Sequence, residues 1–246
     1  MKLLPVILLL ISQSLWAQYP FEQYPAVSYK EYKNWICYDR SKIEYKVHHT
    51  IMIPDFYQNG DSLTIQLTSF VKKWDSSIVR IYRNKMQIQR LYEPMGFAPE
   101  NVIEPIRISD INGDSLSDLK LIIPYLGCGI ASLNVRVIYL FQNKNGEFTK
   151  ISFNDKMSEN RKERDLNNDG NYKIITMSLT SFEDHSYWLF NLYEFISGNL
   201  LNVNYKYEYP IMIQFLNRDN YSITTKISKL KMKEFSIQLP EGYYKN

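Results

Sequence analysis

The residues best placed for chemistry are four oxygen-bearing side chains close together in the chain. Asp110, Asn112, Asp114 and Asp118 occupy positions 1, 3, 5 and 9 of the run Asp110-Ile111-Asn112-Gly113-Asp114-Ser115-Leu116-Ser117-Asp118. A tight loop turns alternate side chains inward, and Gly113 relieves the turn. Leu116 at position 7 can offer its backbone carbonyl. An all-oxygen set of this kind suits a hard cation, and Ca²⁺ takes roughly six to eight oxygens in flexible geometry, with water completing the shell. Mg²⁺ fits less well, because it demands a small octahedral site and keeps its waters. Carboxylates this close repel one another when no ion is bound, so filling the site is linked to folding by mass action.

A second copy follows. Asp165, Asn167 and Asp169 repeat positions 1, 3 and 5, and Asn171 can offer a carbonyl at position 7. Position 9 is Lys173 instead of an acid. That exchange removes one ligand and adds a positive charge. Either affinity for an ion falls sharply, or the ammonium takes the place of the metal as a salt bridge.

The elements around these loops read as strands. An EF-hand needs an acid at position 12, which here is Leu121, and residues 119–123 continue as an apolar strand and not as an exiting helix. Alternating or β-branched segments at 45–53 and 62–68 flank an Asn59-Gly60 turn, a strong hairpin signal. Further strand pairs are predicted at 78–82 with 86–92, 133–141 with 147–153, 187–196 with 199–204, and 211–216 with 221–227. Residues 154–164 are polar and predict one short helix or a loop. The loop starts at Asp110 and Asp165 lie 55 positions apart, and Leu140 to Gly146 matches Leu192 to Gly198 in spacing. A repeat near that length with several strands per unit is a propeller-blade pattern. The expectation is an all-β fold, either propeller-like or an irregular blade repeat of antiparallel strands, in one domain over 43–246 behind an N-terminal arm at 18–42. Residues 45–92, and 211 to the C-terminus, are expected as degenerate outer blades.

The short Asp-x-Asn-Gly-Asp-x-x-x-Asp-Leu loop running into an apolar strand resembles the VCBS and FG-GAP type of repeat, over roughly residues 105–205. The resemblance implies propeller blades with calcium held at the loop that leads a strand. Lys173 departs from it, since the family usually carries an acid at that position.

Met1-Lys2, the apolar residues 3–11 and the small and polar residues 12–17 have the three-part form of a secretory signal peptide, with cleavage expected after Ala17. The apolar stretch is too short to span a bilayer, and no other stretch is long enough. Export places Cys37 and Cys128 in an oxidising compartment, where they are the candidate disulfide; two separate thiols are the alternative. The formal net charge of +3 is too small to argue for nucleic acid. The basic runs at 161–164 and 226–233 read as solvated faces and loops.

Catalytic signatures are thin. His48, His49 and His185 are the three histidines. His48 and His49 fall in one strand, so they face opposite sides. Glu183, Asp184 and Asp155 could pair as carboxylates only through the fold. The reading is therefore non-enzymatic: an exported, Ca²⁺-binding module for a protein partner, with an envelope hydrolase of lysozyme type as the candidate. A carbohydrate-binding module, with Trp35, Trp74 and Trp188 stacking on sugar rings, and a hydrolase with an unrecognised site are the alternatives.

Overall fold

The structure is a computed structural model that describes residues 19–96, 104–124, 128–215 and 222–246, with side chains left undescribed at 73–75. The expected signal peptide and the expected turn at 217–220 lie outside the described residues. Among the described residues the fold is all-β with short helices, arranged as three antiparallel sheets.

The first sheet has the strand order β2 (Ile36–Arg40), β3 (Lys46–Ile53), β4 (Leu63–Phe70), β5 (Lys73–Arg83) and β6 (Met86–Glu93). The second runs β1 (Lys30–Tyr32), β7 (Ile106–Ser109), β8 (Asp118–Pro124), β9 (Asn134–Gln142), β10 (Phe148–Lys156) and β15 (Tyr244–Lys245). In the third, β12 (His185–Ile196) pairs on one side with β11 (Ile174–Phe182) and on the other with both β13 (Asn199–Asn202) and β14 (Ile211–Gln214). Two-residue turns with positive φ at both positions close three hairpins, at Asn84-Lys85, Glu183-Asp184 and Ser197-Gly198. That backbone matches the right-handed twist of the strands it joins.

The sheets stack in a row, and strand composition follows from place in that row. β3 alternates buried residues with partly or fully exposed ones, as a sheet with one wet face requires. β9 is buried at every position after Asn134, because the middle sheet is covered on both faces. One face packs Leu119, Leu121, Ile138 and Leu140 against Ile51, Ile65, Val79 and Ile81 of the first sheet. The other packs Val137, Tyr139, Phe141 and Phe153 against Ile174, Tyr193 and Phe195 of the third, with the Phe141 and Phe195 rings stacked at 3.6 Å. The far face of the third sheet is capped by Phe21 with Trp188, Phe190 and Ile211.

Buried ion pairs bind the layers together. Glu93 of β6 accepts from Arg136 of β9 at 2.6 Å and from Lys150 of β10 at 2.7 Å. Glu163 accepts from Lys120 of β8 at 2.7 Å and from the Tyr29 and Tyr139 hydroxyls.

Among the described residues none of the three sheets closes into a propeller or a barrel. The N-terminal arm instead runs along one edge of all three in turn. Ala26 bridges Arg164 beside the third sheet, β1 pairs with β7 in the second, and β2 pairs with β3 in the first. The chain beyond 211 differs from the blade expected there. β14 extends the third sheet, α2 (Lys229–Lys233) occupies most of the basic run at 226–233, and β15 adds to the second sheet. Ser228 caps α2 by accepting from the Lys231 backbone N–H, and Met232 is buried against Tyr187, Leu189 and Met212. The 154–164 segment contains a single short 3-10 turn at Ser158–Asn160.

Candidate metal centre

Each sheet has an Asp/Asn-bearing loop leading into its next long strand: residues 54–62 before β4, 110–117 before β8, and 165–173 before β11. Asp55, Asp110 and Asp165 stand at equal spacing of 55 residues. The first of these escaped the sequence reading, although the spacing alone signals it.

The second and third loops are built alike. Both have positive φ at positions 4 and 6: Gly113 and Ser115 in one, Asn168 and Gly170 in the other. Asp110 accepts from the backbone N–H groups of Gly113, Asp114 and Ser115 at 2.8, 3.2 and 2.8 Å. Asp165 accepts from those of Asn167, Asp169 and Gly170 at 3.3, 3.2 and 3.0 Å. In both loops the Asn at position 3 donates its side-chain amide to the Asp at position 5, at 3.0 Å from Asn112 and 2.7 Å from Asn167. In both, that Asp accepts from the backbone N–H at position 7, Leu116 or Asn171. An apolar side chain at position 2 anchors each loop: Ile111 is buried in the core between the second and third sheets, and Leu166 packs on the core beneath the third. The loops also touch, with Tyr172 N–H donating to the Ile111 carbonyl at 2.8 Å.

They part at position 9. Asp118 is fully buried, and its two carboxylate oxygens accept from the backbone N–H groups of Ile111 at 2.9 Å and Gln142 at 3.0 Å. Burial pushes its pKa up to about 7, the two backbone hydrogen bonds oppose this, and the charges of Asp114 and Asp110 add to the rise. In the other loop Lys173 donates to the Asn171 carbonyl at 2.6 Å and reaches both oxygens of Asp169, at 3.3 and 3.4 Å. It also pairs with Glu194 of β12 at 2.9 Å, a partner the sequence did not reveal. Burial pulls the Lys173 ammonium down, but Glu194 and the other partners outweigh it and hold its pKa above the usual lysine value. The ammonium thus sits on two of the groups expected as metal ligands, the Asp169 carboxylate and the Asn171 carbonyl. In the loop at 54–62, Arg83 likewise pairs with Asp61 at 2.6 Å.

Residues 110–118 are different: among the described residues, no Lys or Arg pairs with Asp110, Asp114 or Asp118, although the charges of Asp110 and Asp114 both act on Asp118. Their donor set is entirely oxygen, which fits Ca²⁺ in kind. It would draw on Asn112 and the Leu116 carbonyl as well as the acids, since no group of three or more His, Cys, Asp or Glu side chains converges as a metal cage among the described residues. In the third loop the donors do not fit a second ion while Lys173 holds its place. Asn171 Oδ1 there is buried with no hydrogen-bond partner among the described residues.

The remaining candidates are scattered. Cys37 on β2 and Cys128 beside the Gly129–Leu133 turn are both exposed free thiols, so the expected disulfide is not formed. Cys37 lies on the first sheet and Cys128 at the start of the Gly129–Leu133 turn, each turned to solvent. Trp188 is buried and meets Phe215 edge-on at 4.8 Å, while Trp35 is half-buried and donates to the Glu104 carbonyl at 3.0 Å. The Trp74 side chain lies outside the described residues. Asp155 lines a groove of about 660 Å³ between the second and third sheets, yet its carboxylate is committed to Arg161 at 2.5 Å and to the Met177 N–H at 2.8 Å. Glu183 and Asp184 form a hairpin turn instead of joining it. His48 faces outward from the first sheet and His49 inward.

The chain matches no protein-family model, and no curated protein or solved structure shows significant similarity to it.

Proposed function

We propose that this chain is an exported, calcium-stabilised scaffold that acts by binding another protein and not by catalysis. The supporting observation is the contrast among the three strand-leading loops. Two have a cationic side chain set on their acids, Arg83 on Asp61 and Lys173 on Asp169, and among the described residues the third has no such partner for Asp110, Asp114 or Asp118. A divalent cation at Asp110, Asn112, Asp114, Asp118 and the Leu116 carbonyl supplies the missing charge. When bound it neutralises the loop and favours the folded state. In this reading the sheets are blades of an open, propeller-like row, in keeping with the VCBS and FG-GAP resemblance. Asp118 does double duty: it ties Ile111 and Gln142 together and uses its remaining lone pairs toward the ion.

Calorimetric titration of the apo chain should show calcium binding, and excess chelator should lower the melting temperature clearly. Asp114→Ala should abolish both responses. A melting curve indifferent to chelator would sink the calcium reading. For the binding role, the immobilised chain should retain, in calcium, at least one member of a panel of purified peptidoglycan hydrolases and inhibit it. A panel that passes through unretained would remove the hydrolase as the partner.

A further inference from the structure

The outer face of the first sheet shows what kind of protein would dock. Strand register sets its side chains in rows: Tyr38, His48, Thr68, Ile78 and Tyr92 in one, and Ile36, Thr50, Gln66, Arg80 and Arg90 in the next. Two features of these rows stand out.

The first is charge. Arg80 and Arg90 share the face with Arg40 and Lys46, which are paired across β2 and β3. Glu44 is the carboxylate beside them, bonded to Arg40 at 2.7 Å and 3.9 Å from Lys46, in exposed pairs that a competing carboxylate can replace at little cost. The field is felt by His48, whose pKa lies below its ordinary value through burial first and then the charge of Arg80; Glu44 opposes this, and Lys46 and Arg40 add to it. The second is exposed apolar surface. Ile36 is 55%, Tyr38 54%, Met52 63% and Tyr92 45% exposed, on a sheet that alternation would otherwise make polar here.

The face is also held rigid. Thr68 accepts from Arg80 at 2.6 Å and meets His48 Nδ1 at 3.0 Å, so these side chains are set before any partner arrives.

We infer that this face docks an acidic protein surface, its carboxylates on the arginines and its apolar side chains on Ile36, Tyr38 and Met52 along β2 and β3 and on Tyr92 of β6 at the other edge. The inference rests on the protein-binding reading and adds a surface and a sign of charge to it. Arginine predominates over lysine, and its planar fork pairs with carboxylates in bidentate fashion. Phosphate or sulfate groups of a nucleic acid or an acidic polysaccharide would satisfy the cations. Those groups alone leave Ile36 and Met52 uncovered, whereas Arg, Tyr and Met are among the enriched residues of protein interfaces.

The test uses the full chain with calcium and three fluorescent probes: a glutamate–tyrosine copolymer, heparin and oligothymidylate. The copolymer should bind. Arg90→Glu should weaken it about tenfold or more, the equivalent of losing one good charge contact. Met52→Ser should weaken it several-fold, with melting and calcium response unchanged in both variants. No copolymer binding, or binding that neither substitution alters, overturns the proposal. So does preferential binding of heparin or oligothymidylate that falls with Arg90→Glu and ignores Met52→Ser, which would mark a polyanion site. Retention of a hydrolase by the Arg90→Glu variant would overturn this face while leaving the protein-binding reading intact.

Discussion

Gly113 of one acidic loop is seated against Gly170 of the other: a β-carbon added at Gly113 would stand 3.1 Å from the Gly170 carbonyl oxygen and 3.2 Å from its carbon. Both glycines have positive φ, 77° and 81°, but a β-carbon at Gly170 would meet nothing within 4 Å. Alanine at Gly170 should therefore cost only the left-handed backbone strain, about 1 kcal/mol. Alanine at Gly113 should cost more, about 2–3 kcal/mol, because the clash is with backbone and cannot be relieved by a rotamer change. Urea melts of the two variants decide the point. Equal costs would mean that the loops do not bear on each other.

Lys173 gives a sharper test of the loop comparison. Replacing it with Met removes the buried cation from Glu194 and Asp169; Glu194 keeps Lys206 at 3.5 Å, so the cost should fall below that of a fully orphaned buried charge, at about 2–3 kcal/mol. Replacing it with Asp makes position 9 like that of the first loop. In the absence of calcium, Lys173→Asp should be at least as unstable as Lys173→Met. In calcium it should recover, by about 2.7 kcal/mol at a hundredfold excess over Kd, and take up one more ion than the wild type. Calcium titration and melting of the pair would show it. Rescue of both variants alike, or of neither, would count against the ammonium standing in for a metal.

Much of this arrangement is legible in the residues. Alternation in β3 and β4, the Asn-Gly and Ser-Gly turns, and the paired Asp loops all reflect local rules, and the structure follows them. What escapes is long-range. Lys120, Lys150 and Lys173 look like solvent-facing strand residues, but they are essentially fully buried because Glu163, Glu93 and Glu194 come to meet them from other strands and loops. The arm strands β1 and β2 are short and mostly exposed, so no hydrophobic period marks them; they exist because the sheet edges offer unpaired backbone. No closed ring forms among the described residues, where the chain after 211 goes into α2 and edge strands of sheets already formed. Position 9 of the third loop is the instructive case. The lysine was visible at once, but Glu194, which holds it in place, was not.

The two cysteines lead to a labelling experiment. Both thiols are exposed and neither is bridged, so the folded chain should react with two equivalents of a thiol reagent without denaturant. Blocking them should leave the melting temperature unchanged, since neither side chain belongs to a core. Labelling that requires prior reduction would show a bridge in the mature protein.

Glu163 sets an acid limit on stability. Burial alone would raise its pKa, but the charge and hydrogen bond of Lys120, together with the Tyr139 and Tyr29 hydroxyls, carry it below the usual glutamate value. A carboxylate whose folded pKa is depressed binds fewer protons in the native state than in the unfolded chain. Its contribution is therefore fully present above the unfolded value, roughly 4.3, and is lost as pH falls through the lower folded value. Glu163→Gln keeps the shape but leaves the Lys120 ammonium without its carboxylate at neutral pH, which should cost about 3–5 kcal/mol. As pH falls from neutral to about 3, the wild-type melting temperature should drop toward that of the variant, because protonation converts Glu163 into a neutral group much like glutamine. A gap between the two proteins that stays constant over that range would show that Glu163 is not the ionised partner of Lys120.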